Sequence, residues 1–123
     1  MAKVGGLLHA MLPDSTRNMH RAAAHPFMFV DTALPAMFHA VYALGALKRR
    51  LVVKLAGGAE FLDENKVFNI GDQNITAVLT LLARNAVKLE ASATGGRHSR
   101  TVRLDLAMGA VTLDIPGRRP VSL

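Results

Sequence analysis

The sequence predicts an α+β domain, and three observations predict it. Two stretches, about residues 32–45 and 72–86, repeat apolar side chains at helical spacing. Other stretches alternate apolar with polar residues or run β-branched over strand-like lengths, and glycine or proline punctuates most of the junctions. The expected architecture is a layered sandwich, a mixed or antiparallel sheet with the two main helices packed on it. At 123 residues there is room for one domain and one core. Half the residues are hydrophobic and mean hydropathy is +0.24, which argues against disorder.

The first element expected is a strand from Val4 to Leu12. Gly5-Gly6-Leu7-Leu8-His9-Ala10-Met11-Leu12 is too short and too glycine-rich for a helix. Alternation then places Leu7, His9 and Met11 on one face and Leu8, Ala10 and Leu12 on the other. Pro13 ends the run, because it brings no amide hydrogen to a ladder. An irregular stretch follows to about His25, where Ala22-Ala23-Ala24 can support a short helical turn before His25-Pro26 disfavours helix.

Asp31 or Thr32 is the expected cap of the first helix, with Pro35 in its first turn. Leu34, Met37, Phe38, Val41 and Leu44 form its apolar stripe, and Gly45 is its stop. Leu51-Val52-Val53-Lys54-Leu55-Ala56 reads as a buried strand leaving into Gly57-Gly58. Residues 60 to 69 read as a polar loop. Asp72 suits the cap of the second helix, whose stripe is Ile75, Val78, Leu79 and Leu82. Asn74, if it faces inward, must pair its amide with backbone groups. Residues 87–93 alternate as a half-exposed strand turned by Thr94-Gly95-Gly96, and 101–106 with 110–115 read as a hairpin. Beyond about residue 116 the chain is expected to fray.

Charge and composition narrow the function. A formal charge of +6 and a pI near 10.5 favour acidic partners. Aromatics make up only 5%, with no Trp, and the cations are scattered rather than striped, so no specific nucleic-acid binding is expected. No apolar run is long enough to span a bilayer and the start lacks a secretion-signal core, so the expectation is a cytoplasmic protein without membrane insertion. Cysteine is absent from the 123 residues. The five histidines, His9, His20, His25, His39 and His98, are dispersed and show no zincin spacing, so no metal or other cofactor is expected. Ser15, Thr16 and Ser99 sit in loop contexts with no nucleophile elbow. Gly95-Gly96 with Arg97 and Arg100 is the most reasonable rival site, an anion-binding loop.

A lone imidazole on an apolar strand is read first as a satisfied core histidine. The segment Gly5-Gly6-Leu7-Leu8-His9-Ala10-Met11-Leu12-Pro13, however, resembles the G-G-x-x-H-x-M-L-P segment of the CheD family, the chemoreceptor glutamine deamidases. The resemblance continues through Phe29-Val30-Asp31-Thr32-Ala33-Leu34-Pro35, with Phe29 where Tyr is usual. It takes in Lys54-Leu55-Ala56-Gly57-Gly58-Ala59, where Ala56 replaces an aromatic, then Ile70, Gly71 and Asn74, and the Gly95-Gly96 ending.

The resemblance implies an amidohydrolase, a protein-glutamine glutaminase that converts glutaminyl side chains of methyl-accepting chemoreceptors to glutamyl and releases ammonia. In the family a cysteine nucleophile on a preceding strand works with a histidine base, and of that set only the histidine transfers, onto His9. The chain reads as an amino-terminally shortened member missing the family's first strands and is expected to be inactive as it stands. The implied partners are the cytoplasmic helices of chemoreceptors and a CheC-type phosphatase. The alternatives are a catalytically inactive receptor- or CheC-binding regulatory module and, more remotely, a small basic nucleic-acid-binding protein.

Overall fold

The structure is a computed structural model that describes residues 3–60 and 69–123. The polar loop expected over residues 60–69 therefore falls almost wholly outside the described residues. Three α-helices and five strands follow in the order α1 (Met19–Ala24), α2 (Val30–Ala43), β1 (Val53–Gly57), α3 (Ile70–Arg84), β2 (Leu89–Thr94), β3 (Thr101–Asp105), β4 (Ala110–Asp114) and β5 (Val121–Ser122). The class is α+β, as the periodicities predict. The strands form two small sheets instead of one mixed sheet: β1 pairs with β2 in parallel, and β3, β4 and β5 form an antiparallel meander.

The core lies around α2. Phe29 and Val30 are fully buried, and Ala33, Leu34, Val41, Leu82 and Leu113 pack with them. The apolar stripe of α2 is thus turned slightly from the expected one, toward Val30 and Ala33 and away from Leu44. Leu44 is the C-cap, outside the helix, and is 69% exposed. In the same way Leu79 faces outward on α3, where Gly71 and Leu82 are buried.

Both main helices begin two residues earlier than predicted, and neither expected cap is a cap. Phe29 caps α2 without a side-chain bond, because the Asp31 carboxylate inside the first turn accepts from Ser15 N–H (3.0 Å) and Ser15 Oγ (2.6 Å). Pro35 consequently sits in the second turn. Its missing N–H leaves the Asp31 carbonyl without a helical partner on a face where Pro35 is exposed. For α3 the cap is Asn69, in the left-handed region at φ 47, while Asp72 lies within the first turn, its N–H donating to Glu60 Oε1 (3.0 Å).

The helix stops are closed alike. Ala46 N–H donates to the Val41 carbonyl and Gly45 N–H to that of Tyr42, with Gly45 at φ 104. Val87 N–H and Ala86 N–H repeat the pattern on Leu82 and Ala83. These are Schellman closures, and the second places an alanine at φ 53.

The two double-glycine turns, read separately in the sequence, lie side by side. Gly95 N–H donates to the Gly57 carbonyl and Glu60 N–H to that of Gly96, both at 2.9 Å, prolonging the β1–β2 pair past its end. The α3 amino terminus then crosses this turn so closely that a Cβ on Gly71 would run into the Gly58 carbonyl. A helix can approach backbone in this way only through glycine.

The carboxyl end is not frayed. Val121 and Ser122 pair with Leu113 and Thr112 of β4, and Leu123 N–H donates to the Val111 carbonyl (2.9 Å). Lys54 Nζ of β1 donates to the Leu123 carbonyl, so one ammonium joins the two sheets. Among the described residues no helix is long and apolar enough to cross a membrane.

Candidate functional site

Residues 4–11 are extended but do not form the predicted strand. Among the described residues, residues 4–10 make no backbone hydrogen bond, and the only pairing of the run is a parallel bridge between Leu12 and Phe29. The alternation nevertheless holds. Leu7 (63%), His9 and Met11 (58%) are exposed, whereas Leu8, Ala10 and Leu12 are half-buried.

The segment meets the rest of the fold at its two ends. At the near end, exposed Gly6 lies beside Met37 and Val41 of α2, where a Cβ would be a tight fit, and exposed Gly5 lies beside the side-chain ends of Leu104 and Leu106, where a Cβ would have to push Leu106 aside. At the far end, Met11 N–H (2.8 Å) and Leu12 N–H (3.0 Å) share the Met28 carbonyl, and the Leu12 carbonyl accepts from Val30 N–H (2.8 Å). Asn74 of α3 adds a cross-tie, its Nδ2 donating to the Met11 carbonyl at 3.0 Å, which is the backbone role its position in the sequence anticipates. Its Oδ1 is buried with no partner among the described residues.

His9 therefore projects to solvent between Leu7 and Met11, on a segment held by both main helices. It is not a core histidine. Its ring makes no hydrogen bond or ion pair among the described residues, and the residue is exposed.

The loop beyond Pro13 is ordered by side-chain capping. Asp14 accepts from Thr16 N–H (2.8 Å) and Thr16 Oγ1 (2.7 Å), and these bonds hold its carboxyl below the ordinary value of 3.8. A carboxylate with a lowered folded-state pKa stabilises the turn fully above that ordinary value. The contribution is lost as pH falls through the lower one. Asn18 caps α1 by accepting from Arg21 N–H (2.9 Å). The hydroxyls of Ser15 and Thr16 are thus committed to Asp31 and Asp14, which makes them structural groups and not nucleophiles.

The rival anion loop is also committed. Arg100 donates from Nη2 to the Gly95 carbonyl (2.6 Å) and from Nη1 to that of His98 (3.1 Å), so its guanidinium braces the glycine turn from within. Only Arg97 of that pair is left exposed on the loop. His98 lies 3.2 Å from Arg118, and His20, His25 and His39 are dispersed over the surface. Among the described residues no group of three metal-ligating side chains converges.

Sequence reasoning missed three of these ties: the Ser15–Asp31 pair, the Arg100 brace and the Lys54–Leu123 link. Each joins residues whose partner is set by the fold.

Comparison with known proteins adds the family context. The family model of CheD, described as CheD chemotactic sensory transduction, matches residues 11–114, beginning two residues after His9. A probable chemoreceptor glutamine deamidase CheD 1 of Syntrophus aciditrophicus (strain SB) is 44% identical over 115 residues, 94% of this chain and 72% of its own. A probable chemoreceptor glutamine deamidase CheD of Solibacter usitatus (strain Ellin6076) is 42% identical over 118 residues, 96% of this chain and 70% of its own. One of Pyrococcus horikoshii is 41% identical over 115 residues, with 92% and 70% covered.

Proposed function

The chain belongs to the CheD family, and from that premise we propose that it is built for the deamidation of glutaminyl side chains on methyl-accepting chemoreceptors, with His9 as the general base. The observation that carries the reading is the placement of His9. Its imidazole stands exposed on a segment tied by backbone bonds at Met11-Leu12 and lying beside α2 at Gly6, so a protein surface laid along Leu7 and Met11 brings its side chains to the ring.

The chemistry is amide hydrolysis. A base removes the proton of a nucleophile, the nucleophile adds to the side-chain carbonyl carbon, and the same group returns the proton to nitrogen as the C–N bond breaks and ammonia leaves. Water then cleaves the acyl intermediate to give the carboxylate and the free nucleophile. His9 supplies the proton transfers. None of the 123 residues is cysteine, so the thiol must come from outside them. The alternative form of the same reading is a receptor-binding or CheC-type phosphatase-binding regulatory module without turnover.

The test measures ammonia release and the conversion of glutamine to glutamate by mass spectrometry on glutamine-bearing chemoreceptor helices. Two proteins are compared, this chain and the chain extended at its amino end by the family's cysteine-bearing strand. The extended protein is expected to turn over, and His9→Ala in it to lower the rate by about 10²–10⁴-fold, as for loss of a general base. The 123 residues alone are expected to bind without turnover. An extended His9→Ala protein as active as its parent removes His9 from the mechanism.

A further inference from the structure

A concave feature lies on a part of the surface that the deamidase reading leaves unused. It is a groove of about 210 Å³ between α2, the turn that follows α2 and the carboxyl end of α3. Phe38 and Tyr42 form its aromatic side, with ring centroids 6.2 Å apart and planes 17° from parallel, and Lys48 stands in its lining. The groove is distinct from the His9 segment. Met37 and Val41 of α2 face Gly6, and each helical residue advances roughly 100°, so Phe38 and Tyr42 open on a different face of the helix.

Among the described residues, the charge around this groove is predominantly positive. No acidic residue occurs between Thr32 and Ala59 or between Gln73 and Leu89, the two spans that build it. Lys48, Arg49, Arg84 and Lys88 are all exposed at or beside the lining residues. Among the described residues, the one carboxylate paired with this set is Glu90, 3.7 Å from Lys88, in a pair that is solvent-exposed on both sides and correspondingly weak.

We propose that this groove docks an acidic amphipathic helix of a partner protein. Its apolar side chains would lie against Phe38 and Tyr42, and its carboxylates would meet Lys48, Arg49 and Arg84. An apolar trough with a cationic rim between two helices suits the helix-in-groove mode, in which spaced apolar anchors give affinity and rim charges give orientation and on-rate. A flat anionic membrane would be met by the protruding Leu44 and Leu47 beside Lys48 and Arg49, not by Phe38 and Tyr42 in the groove, and the vesicle arm of the test separates the two. A nucleic acid calls for open ring faces on which bases stack, and here the two rings are half-buried beside each other. This inference does not depend on the role given to His9.

The probe is a synthetic helical peptide with Leu or Phe at i, i+3, i+4 and i+7 and Glu on both flanks. Its twin carries Lys for every Glu. With the isotope-labelled chain, the Glu peptide is expected to shift the NMR signals of Phe38, Tyr42 and Lys48, and to bind more weakly as salt rises. The double variant Lys48→Glu, Arg84→Glu is expected to weaken it about tenfold, with an unchanged melting temperature because both side chains are exposed. The proposal is overturned if the Glu peptide does not bind, if the Lys twin or the double variant binds as tightly, or if the shifts cluster elsewhere. It is also overturned if the chain binds anionic phosphatidylserine vesicles and ignores the peptide.

Discussion

Ala86 closes α3 with its backbone in the left-handed region, φ 53, at the position where α2 has Gly45. An L-residue with a Cβ is strained there by roughly 1 kcal/mol, and glycine is not. Ala86→Gly is therefore expected to raise stability by about 0.5–1 kcal/mol, read as a higher urea midpoint with an unchanged slope. The residue is exposed, so no packing is lost to offset the gain. Asn74 was legible in the sequence in part: its Nδ2 finds the Met11 carbonyl as an inward amide should, while its Oδ1 is buried without a partner among the described residues. Asp31 and Asp72 were not, because a carboxylate near a helix start has several uses. In one case Ser15 takes it, and in the other the Asp72 amide is bonded to Glu60.

At the level of elements, the first segment separates pattern from structure. Alternation correctly divided Leu7, His9 and Met11 from Leu8, Ala10 and Leu12, yet a strand also needs a partner, and residues 4–10 have none among the described residues. Hydrogen–deuterium exchange tests the distinction. Amides of residues 5–10 are expected to exchange within the dead time, whereas those of Met11, Leu12 and Val30 are expected to be protected to the level of the α2 core. Protection at residues 5–10 would mean that a ladder forms there in solution. The two main helices and the hairpin were readable because their signals are local, namely a 3.6 or 2.0 period and glycine punctuation. The parallel pairing of β1 with β2 was not, since nothing near Val53 specifies Leu89 as its neighbour.

Taken whole, the molecule is two small sheets and a helical layer, and few contacts hold the sheets in register with each other. Lys54 on the Leu123 carbonyl is one, and it depends on β5 being laid down on β4. Ending the chain at Pro120 removes the β5 ladder, the Leu123–Val111 bond and the partner of a half-buried ammonium together. A loss of about 1–3 kcal/mol in unfolding free energy is expected, measured by urea denaturation against the intact chain. A length of this kind reads as tail in the sequence because Pro116-Gly117 and Pro120 look like an ending. The fold instead uses them to turn the chain back.

The one-sided fixing of the His9 segment has a mechanical corollary. A cord bonded at Met11 and held before it only by the half-buried side chains of Leu8 and Ala10 can bow without breaking any backbone bond, so small changes of curvature carry the imidazole sideways. In the role proposed for His9, the reach of the ring is then set by the slack of this segment as much as by the rotamers of His9, and stiffening the segment would narrow the range of side chains the ring can meet.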